Sequence, residues 1–339
     1  MGDRTFHVAG RHAGIVHVAC GHRLLASHGA QIVESMNGGA SWAPVCSLPI
    51  PALQRVWASS PLVRRALRAG IHHVVEVSER LIVFASSRIY VFNRHAGFFN
   101  PTPSLIEGSR PLAVCDSNGT LYYGQYCGNP DRNPVHILRS TDGGSTWSSA
   151  CVLPDVRHIH GVFHDPVENA LWVTTGDENA ESRILMSRDG LRTFTVVAAG
   201  TQQTRAVQLL FTDEHVYFGS DSPRERNHIY RIRRSDRSIT RLVEVDGSVF
   251  YGSASSLGLF FSTACEPSRV NSERSATLWH SPDGEHWSAV MSFRKDLLPS
   301  KLFQYGQILF PRGQQPEGRI WITPFATTMD QTSLCLEAG

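Results

Sequence analysis

The stretch Ser140-Thr-Asp-Gly-Gly-Ser-Thr-Trp147 limits the folds open to this chain more than any other. A Ser and an Asp two residues apart can fold back onto the backbone of a tight hairpin. Gly144 supplies the positive φ such a turn needs, and Trp147 packs where the next strand begins. The pattern returns as Ser35-Met-Asn-Gly-Gly-Ala-Ser-Trp42, as Ser187-Arg-Asp-Gly-Leu-Arg-Thr-Phe194 and, one residue shorter, as Ser281-Pro-Asp-Gly-Glu-His-Trp287. Eroded copies stand at Asn93-Arg-His-Ala-Gly97 and Ser235-Asp-Arg-Ser238. The successive steps between copies are 58, 47, 47, 48 and 46 residues. A period near 47 is the length of one four-stranded propeller blade, so the expected fold is an all-β, seven-bladed β-propeller, with six blades as the alternative if the weak second copy is not a blade.

These turns resemble the Asp-box, or BNR, repeats of the sialidase superfamily of β-propellers, and the six copies carry the resemblance over nearly the whole chain. The resemblance implies that each box joins the third and fourth strands of a blade, on the face away from an active site. It speaks for fold and only weakly for function, because such boxes occur in hydrolases, lyases and non-enzymatic propellers. A true sialidase is not implied: the chain has no Arg-Ile-Pro, and its first inner strand carries His17 where an Arg is expected. A rim rich in His, Tyr and Arg looks more like that of propeller polysaccharide lyases, which set His and Tyr beside an Arg that neutralises a uronate, although none of their motifs is matched residue by residue.

Strand-like runs around the boxes place the inner strands at Gly14–Cys20, Ile71–Val77, Pro111–Asp116, Arg157–Asp165, Arg205–Thr212, Ser248–Ala254 and Leu302–Phe310. The last blade is one strand short, and Thr5–Ala9 can complete it, so pairing of the N- and C-terminal strands is expected to close the fold. An unbroken repeat argues for a single domain over 1–339. Pro51–Ala69 stands outside the period and reads as a short amphipathic helix whose arginines, by the family geometry, overhang the mouth of the central cavity or are simply solvated. The 28 Gly and 18 Pro fit a turn-rich all-β chain.

A net charge of +2 says little about a nucleic-acid partner, but the lack of a basic stripe with interleaved aromatics argues against one. No run approaches the roughly 20 apolar residues of a membrane span, and the first 20 residues hold no signal-peptide core, so a cytoplasmic location is expected. Seven scattered cysteines without CxxC spacing read as free thiols.

Function is expected at the starts of inner strands and in the polar loops between second and third strands. His158 and His160, two apart in one strand, point to the same side and suit proton transfer near neutral pH. No cofactor is expected, and no metal, because the pair lacks a clear full ligand set; His164 or Asp177 would be the candidates to extend it. Asp177, Glu178 and Asp221 offer carboxylates, although adjacent Asp177 and Glu178 should diverge. Arg205, Arg132 and Arg157 suit a carboxylate on a sugar, and Tyr123 and Tyr126 offer phenols. The expected function is cleavage of a glycosidic bond in an acidic, uronate-containing polysaccharide, by β-elimination rather than hydrolysis. In that reading His158, His160, Tyr123, Arg205 and Asp177 are catalytic, while Arg132, Arg157, Tyr126, Glu178 and Asp221 bind substrate. The alternative is a non-catalytic propeller that binds a glycan or a protein on the same face.

Overall fold

The computed structural model describes residues 5–85, 88–100 and 110–339. Seven four-stranded sheets form a seven-bladed β-propeller, and the strand Arg312–Gln314 adds a fifth, parallel member to the first of them. The described residues fall into two compact units, one running to Val74 and resuming with Val245–Gly339, the other Val75–Glu244. The second repeat, despite its eroded turn, is a blade: Ile71–Val77, Arg80–Ala85, Arg88–Asn93 and Phe98–Asn100 lie side by side. The six-bladed alternative is thereby removed. In the last blade Phe6–Ala13 pairs antiparallel with Thr332–Ala338, setting Phe6 opposite Ala338, so the terminal strands share one sheet as expected.

Second strands such as Arg80–Ala85, buried from Leu81 on, and Ala170–Gly176 are buried residue after residue. They carry packing on both faces, which is why they read as continuous apolar or small runs rather than alternating ones.

Four turns share one set of bonds. The backbone N–H groups of Gly39, Gly144, Leu191 and Gly284 donate to the hydroxyls of Ser35, Ser140, Ser187 and Ser281 at 2.8–2.9 Å. The side chains of Asn37, Asp142, Asp189 and Asp283 accept from the N–H groups of Ser41, Thr146, Thr193 and His286 at 2.9–3.0 Å. Trp42, Trp147 and Trp287 each donate an indole N–H to the carbonyl of the Gly three positions earlier. These bonds satisfy turn groups that no strand ladder reaches.

Two expectations change. Pro51–Ala69 holds two short helices, α1 (Ala52–Ser59) and α2 (Pro61–Ala66), because Ser60 is extended and Pro61 opens the second helix at a position where its missing N–H has no cost. Of its arginines, Arg65 is neither solvated nor overhanging a cavity: it is 2% exposed, pairs with Asp296 and donates to the Phe303 carbonyl. The strand expected over Leu302–Phe310 shrinks to Gln307–Leu309, since Ser300–Phe303 forms a third helix, α3.

His17 on Ile15–Cys20 is buried with its Nε2 2.7 Å from the Ser27 hydroxyl. Burial, with the neighbouring His73 and His72 on Ile71–Val77 adding to it, pulls its pKa down to about 3. The folded state therefore refuses a proton that the unfolded chain accepts below about pH 6.5. The sign follows directly: stability should rise with pH between about 3 and 6.5 and level off above, and this residue should contribute at most about 1.4 kcal/mol per pH unit. Denaturant midpoints measured across that range should show a shallower slope in His17→Gln than in the parent.

Candidate functional site

The register of the fourth blade, with strands His158–Asp165, Ala170–Gly176, Arg183–Ser187 and Thr195–Ala199, places its site. Asp165 pairs with Ala170 and Leu171 with Ser187, so the box turn lies at that end of the sheet. His158 pairs with Gly176 at the opposite end. There a bulge between Ile159 and Gly161 leaves His160 without a ladder partner and frees its ring to turn toward the next blade. Gly176 makes the room: a Cβ at that position would stand 2.5 Å from the His160 Cε1.

Asp177 is the hub. Its Oδ1 lies 3.3 Å from the His158 Nε2, 3.6 Å from the His160 Nε2 and 3.0 Å from the Arg205 Nη2, while the Arg157 Nη1 donates to its Oδ2 at 2.8 Å. The two Nε2 atoms are 3.2 Å apart. Arg205 also bridges to Asp221 at 3.1 Å, so the two carboxylates share one guanidinium. Both histidines are buried, whereas the Arg157 side chain is 42% exposed and is the open cation of the group. Tyr126, half-buried, lays its ring 4.2 Å from that of His158.

The tautomers follow from the partners. The His158 Nδ1 lies 3.2 Å from the Cys127 carbonyl and the His160 Nδ1 lies 3.0 Å from the Ala206 carbonyl. A carbonyl only accepts, so both Nδ1 atoms carry hydrogen and both Nε2 atoms of the neutral rings present lone pairs. Burial is the larger influence on His160 and lowers its pKa to about 4, against an opposing pull from Asp177. Burial would raise the Asp177 carboxyl, but the charge of Arg205 at 3.0 Å outweighs it and holds the group well below the usual carboxylate range.

The supports come from groups that residue type did not single out. Glu181 accepts from the backbone N–H groups of Arg157 and Asp177 at 3.2 Å each and from the Arg132 Nε at 2.6 Å. Gln202 donates to the Asp177 carbonyl at 2.9 Å. Glu181 stood in the polar loop after Gly176, but nothing in its type distinguished a brace from a solvated acid.

The predicted residues therefore separate. His158, His160, Asp177, Arg157, Arg205, Asp221 and Tyr126 come together, with Arg132 behind them on Glu181. Glu178 diverges from Asp177, as adjacent residues should, and is held by two 2.7 Å bonds from Arg224, which lowers its pKa. Tyr123 is not at the site. It lies inside the strand Thr120–Gly124, 1% exposed, its ring edge-on to Phe84 and Trp147 in the core between blades. His164 sits toward the box end of its strand beside Asn169. The seven cysteines are free thiols, three of them buried.

No protein-family model matches this sequence, and no curated protein does. Solved structures do. The WD40 β-propeller domain of Doa1 is similar over 98% of this chain and 97% of its own, with a TM-score of 0.58 at 12% identity. YCF48 bound to D1 peptide is similar over 100% and 97%, with a TM-score of 0.57 at 10% identity. The extracellular domain of the hybrid two component system BT4673 from B. thetaiotaomicron is similar over 98% of this chain, with a TM-score of 0.59 at 14% identity, and this chain spans 40% of that one. At such identities the likeness is one of fold. Among the described residues no helix is long and apolar enough to cross a membrane.

Proposed function

We propose that this chain is an Asp-box propeller of the sialidase-superfamily type that cleaves an acidic, uronate-containing polysaccharide by β-elimination at the cluster around Asp177. The observation that carries the reading is the gathering of two imidazoles and an exposed guanidinium around one carboxylate, with a phenol ring tilted against one of the imidazoles, at the end of the blade opposite its box turn. Strand ladders have no use for these side chains, and their concentration at one end of the blade supports a functional site there.

In this reading the roles differ from those expected from sequence. His158 and His160 are buried with their Nε2 atoms turned to each other and to Asp177, so a substrate proton has no direct path to them. Arg157 takes the uronate carboxylate, which makes the C5 proton acidic. In this reading the Tyr126 phenolate takes the C5 proton, the C5–H electron pair becomes the C4–C5 double bond, the C4–O bond breaks, and the Tyr126 hydroxyl returns that proton to the leaving oxygen. Arg205, already bridging Asp177 and Asp221, positions the hub.

The test is a panel of uronate polysaccharides scored by the ultraviolet absorbance of the unsaturated product. Wild-type protein should generate it from at least one of them, and Tyr126→Phe should slow its formation about 10²–10⁴-fold while the protein stays folded. New reducing ends without that absorbance would move the chemistry to hydrolysis by Asp177, Glu178 or Asp221. Binding without any product would favour the non-catalytic platform. Either result overturns the elimination reading.

A further inference from the structure

The contact between His158 and His160 poses a problem of hydrogen-bond accounting. Each ring commits its Nδ1 hydrogen to a backbone carbonyl, of Cys127 or of Ala206. Each Nε2 then points a lone pair at the other across 3.2 Å. The third atom in the group, the Asp177 Oδ1, is also an acceptor, at 3.3 and 3.6 Å. Three acceptors face one another in a buried place, and such a group is costly unless a cation sits among them.

The spacing says what kind of cation fits. Ligand atoms of a tetrahedral ion with bonds of about 2.0–2.2 Å stand about 3.3–3.6 Å apart along each edge. The three separations here are 3.2, 3.3 and 3.6 Å. Histidines that donate the distal ring hydrogen to a backbone carbonyl have the orientation and basicity of metal ligands. Arg205 at 3.0 Å occupies one lone pair of the Asp177 Oδ1, and a carboxylate oxygen retains another.

We infer that His158 Nε2, His160 Nε2 and Asp177 Oδ1 form a three-residue site for a divalent transition-metal ion such as zinc. Two imidazoles and a carboxylate suit zinc, iron or cobalt rather than calcium or magnesium, which prefer oxygen ligands. Three protein ligands leave a fourth position for water or a substrate oxygen. The expectation of no metal rested on a pair of histidines lacking a full ligand set, and the fold supplies the third ligand from the loop after the neighbouring strand. That the ion acts as the electrophile beside Arg157 rests on the acidic-saccharide reading above; its presence does not.

The experiment uses the full chain, stripped with a chelator and reloaded with Zn²⁺ or Co²⁺ in the absence of any saccharide. Wild-type protein should take up one ion per chain, and the cobalt form should show the intense visible absorption of a four-coordinate centre. His158→Gln and His160→Gln should each weaken uptake more than about 100-fold, beyond the loss usual for an outer-shell partner. Should either variant fail to fold, the cobalt spectrum of the wild type alone decides. Folded wild-type protein that takes up neither ion overturns the site, as does uptake unchanged by both substitutions. Because no saccharide is present, this outcome is independent of whether the lyase reading stands.

Discussion

Asp177→Ala is expected to destabilise the protein by about 3 kcal/mol, near the lower end of the range for removing one partner from a buried charge network. The carboxylate is the common neighbour of His158, His160, Arg157 and Arg205. Without it Arg205 retains its contact with Asp221, and the Arg157 guanidinium loses its bond to the Asp177 Oδ2. Most of the loss comes from the desolvated Arg205 guanidinium, left with one carboxylate fewer, rather than from the contacts themselves. Asp177→Asn should cost less, because an amide oxygen still accepts from one arginine and the amide N–H group can donate to the facing imidazoles. Urea unfolding of the three proteins in one buffer measures this. Equal stability of Asp177→Ala and wild type would mean that the carboxylate is solvated and that the cluster is not the closed network described.

Gly144→Ala is expected to cost about 3 kcal/mol, and Gly190→Ala about half as much. Both glycines are left-handed, at φ +84° and +74°, a conformation that costs an L-residue about 1–2 kcal/mol. Only Gly144 is also enclosed: a Cβ there would stand 2.7 Å from the Ile82 Cγ1 and 3.0 Å from its Cγ2, whereas nothing lies within 4 Å of a Cβ at Gly190. The overpacking adds about 1–3 kcal/mol. The difference between the two variants therefore isolates how tightly the turn is pressed against the preceding blade. Leu191 holds the place in its turn that Gly144 holds in its own, at φ +71° and 2% exposed, so that position is filled from the turn itself in the fourth blade and by Ile82 in the third. Thermal unfolding of both variants reads the comparison, and equal losses would refute it.

The propeller was legible because its signal is local. A hydroxyl, a carboxylate or amide and a left-handed residue within eight positions close a turn by themselves, and the period of those turns counts the blades. The positions of His158, His160, Asp177 and Arg205 at strand starts and loop ends were legible for the same reason, since strand register follows from the turns. Tyr123 was assigned to the rim because a tyrosine looks the same wherever it stands. It lies within the strand and is enclosed between blades, while Tyr126 lies just beyond the strand end and reaches the histidines.

What the sequence determined by itself was the repeat of hairpin-bounded blades and the pairing of the first strand with the last, while the second blade's sheet decided for seven blades over six. The tertiary structure alone decided which polar groups meet and in what protonation geometry. The tautomers of His158 and His160 depend on the carbonyls of Cys127 and Ala206, and the Asp177 backbone is held by Glu181 and Gln202. Backbone carbonyls are the same at every residue and leave no trace in composition or spacing. The third acceptor of the histidine pair becomes visible only when packing brings a loop 17 residues farther along the chain back to the strand's first turn of side chains.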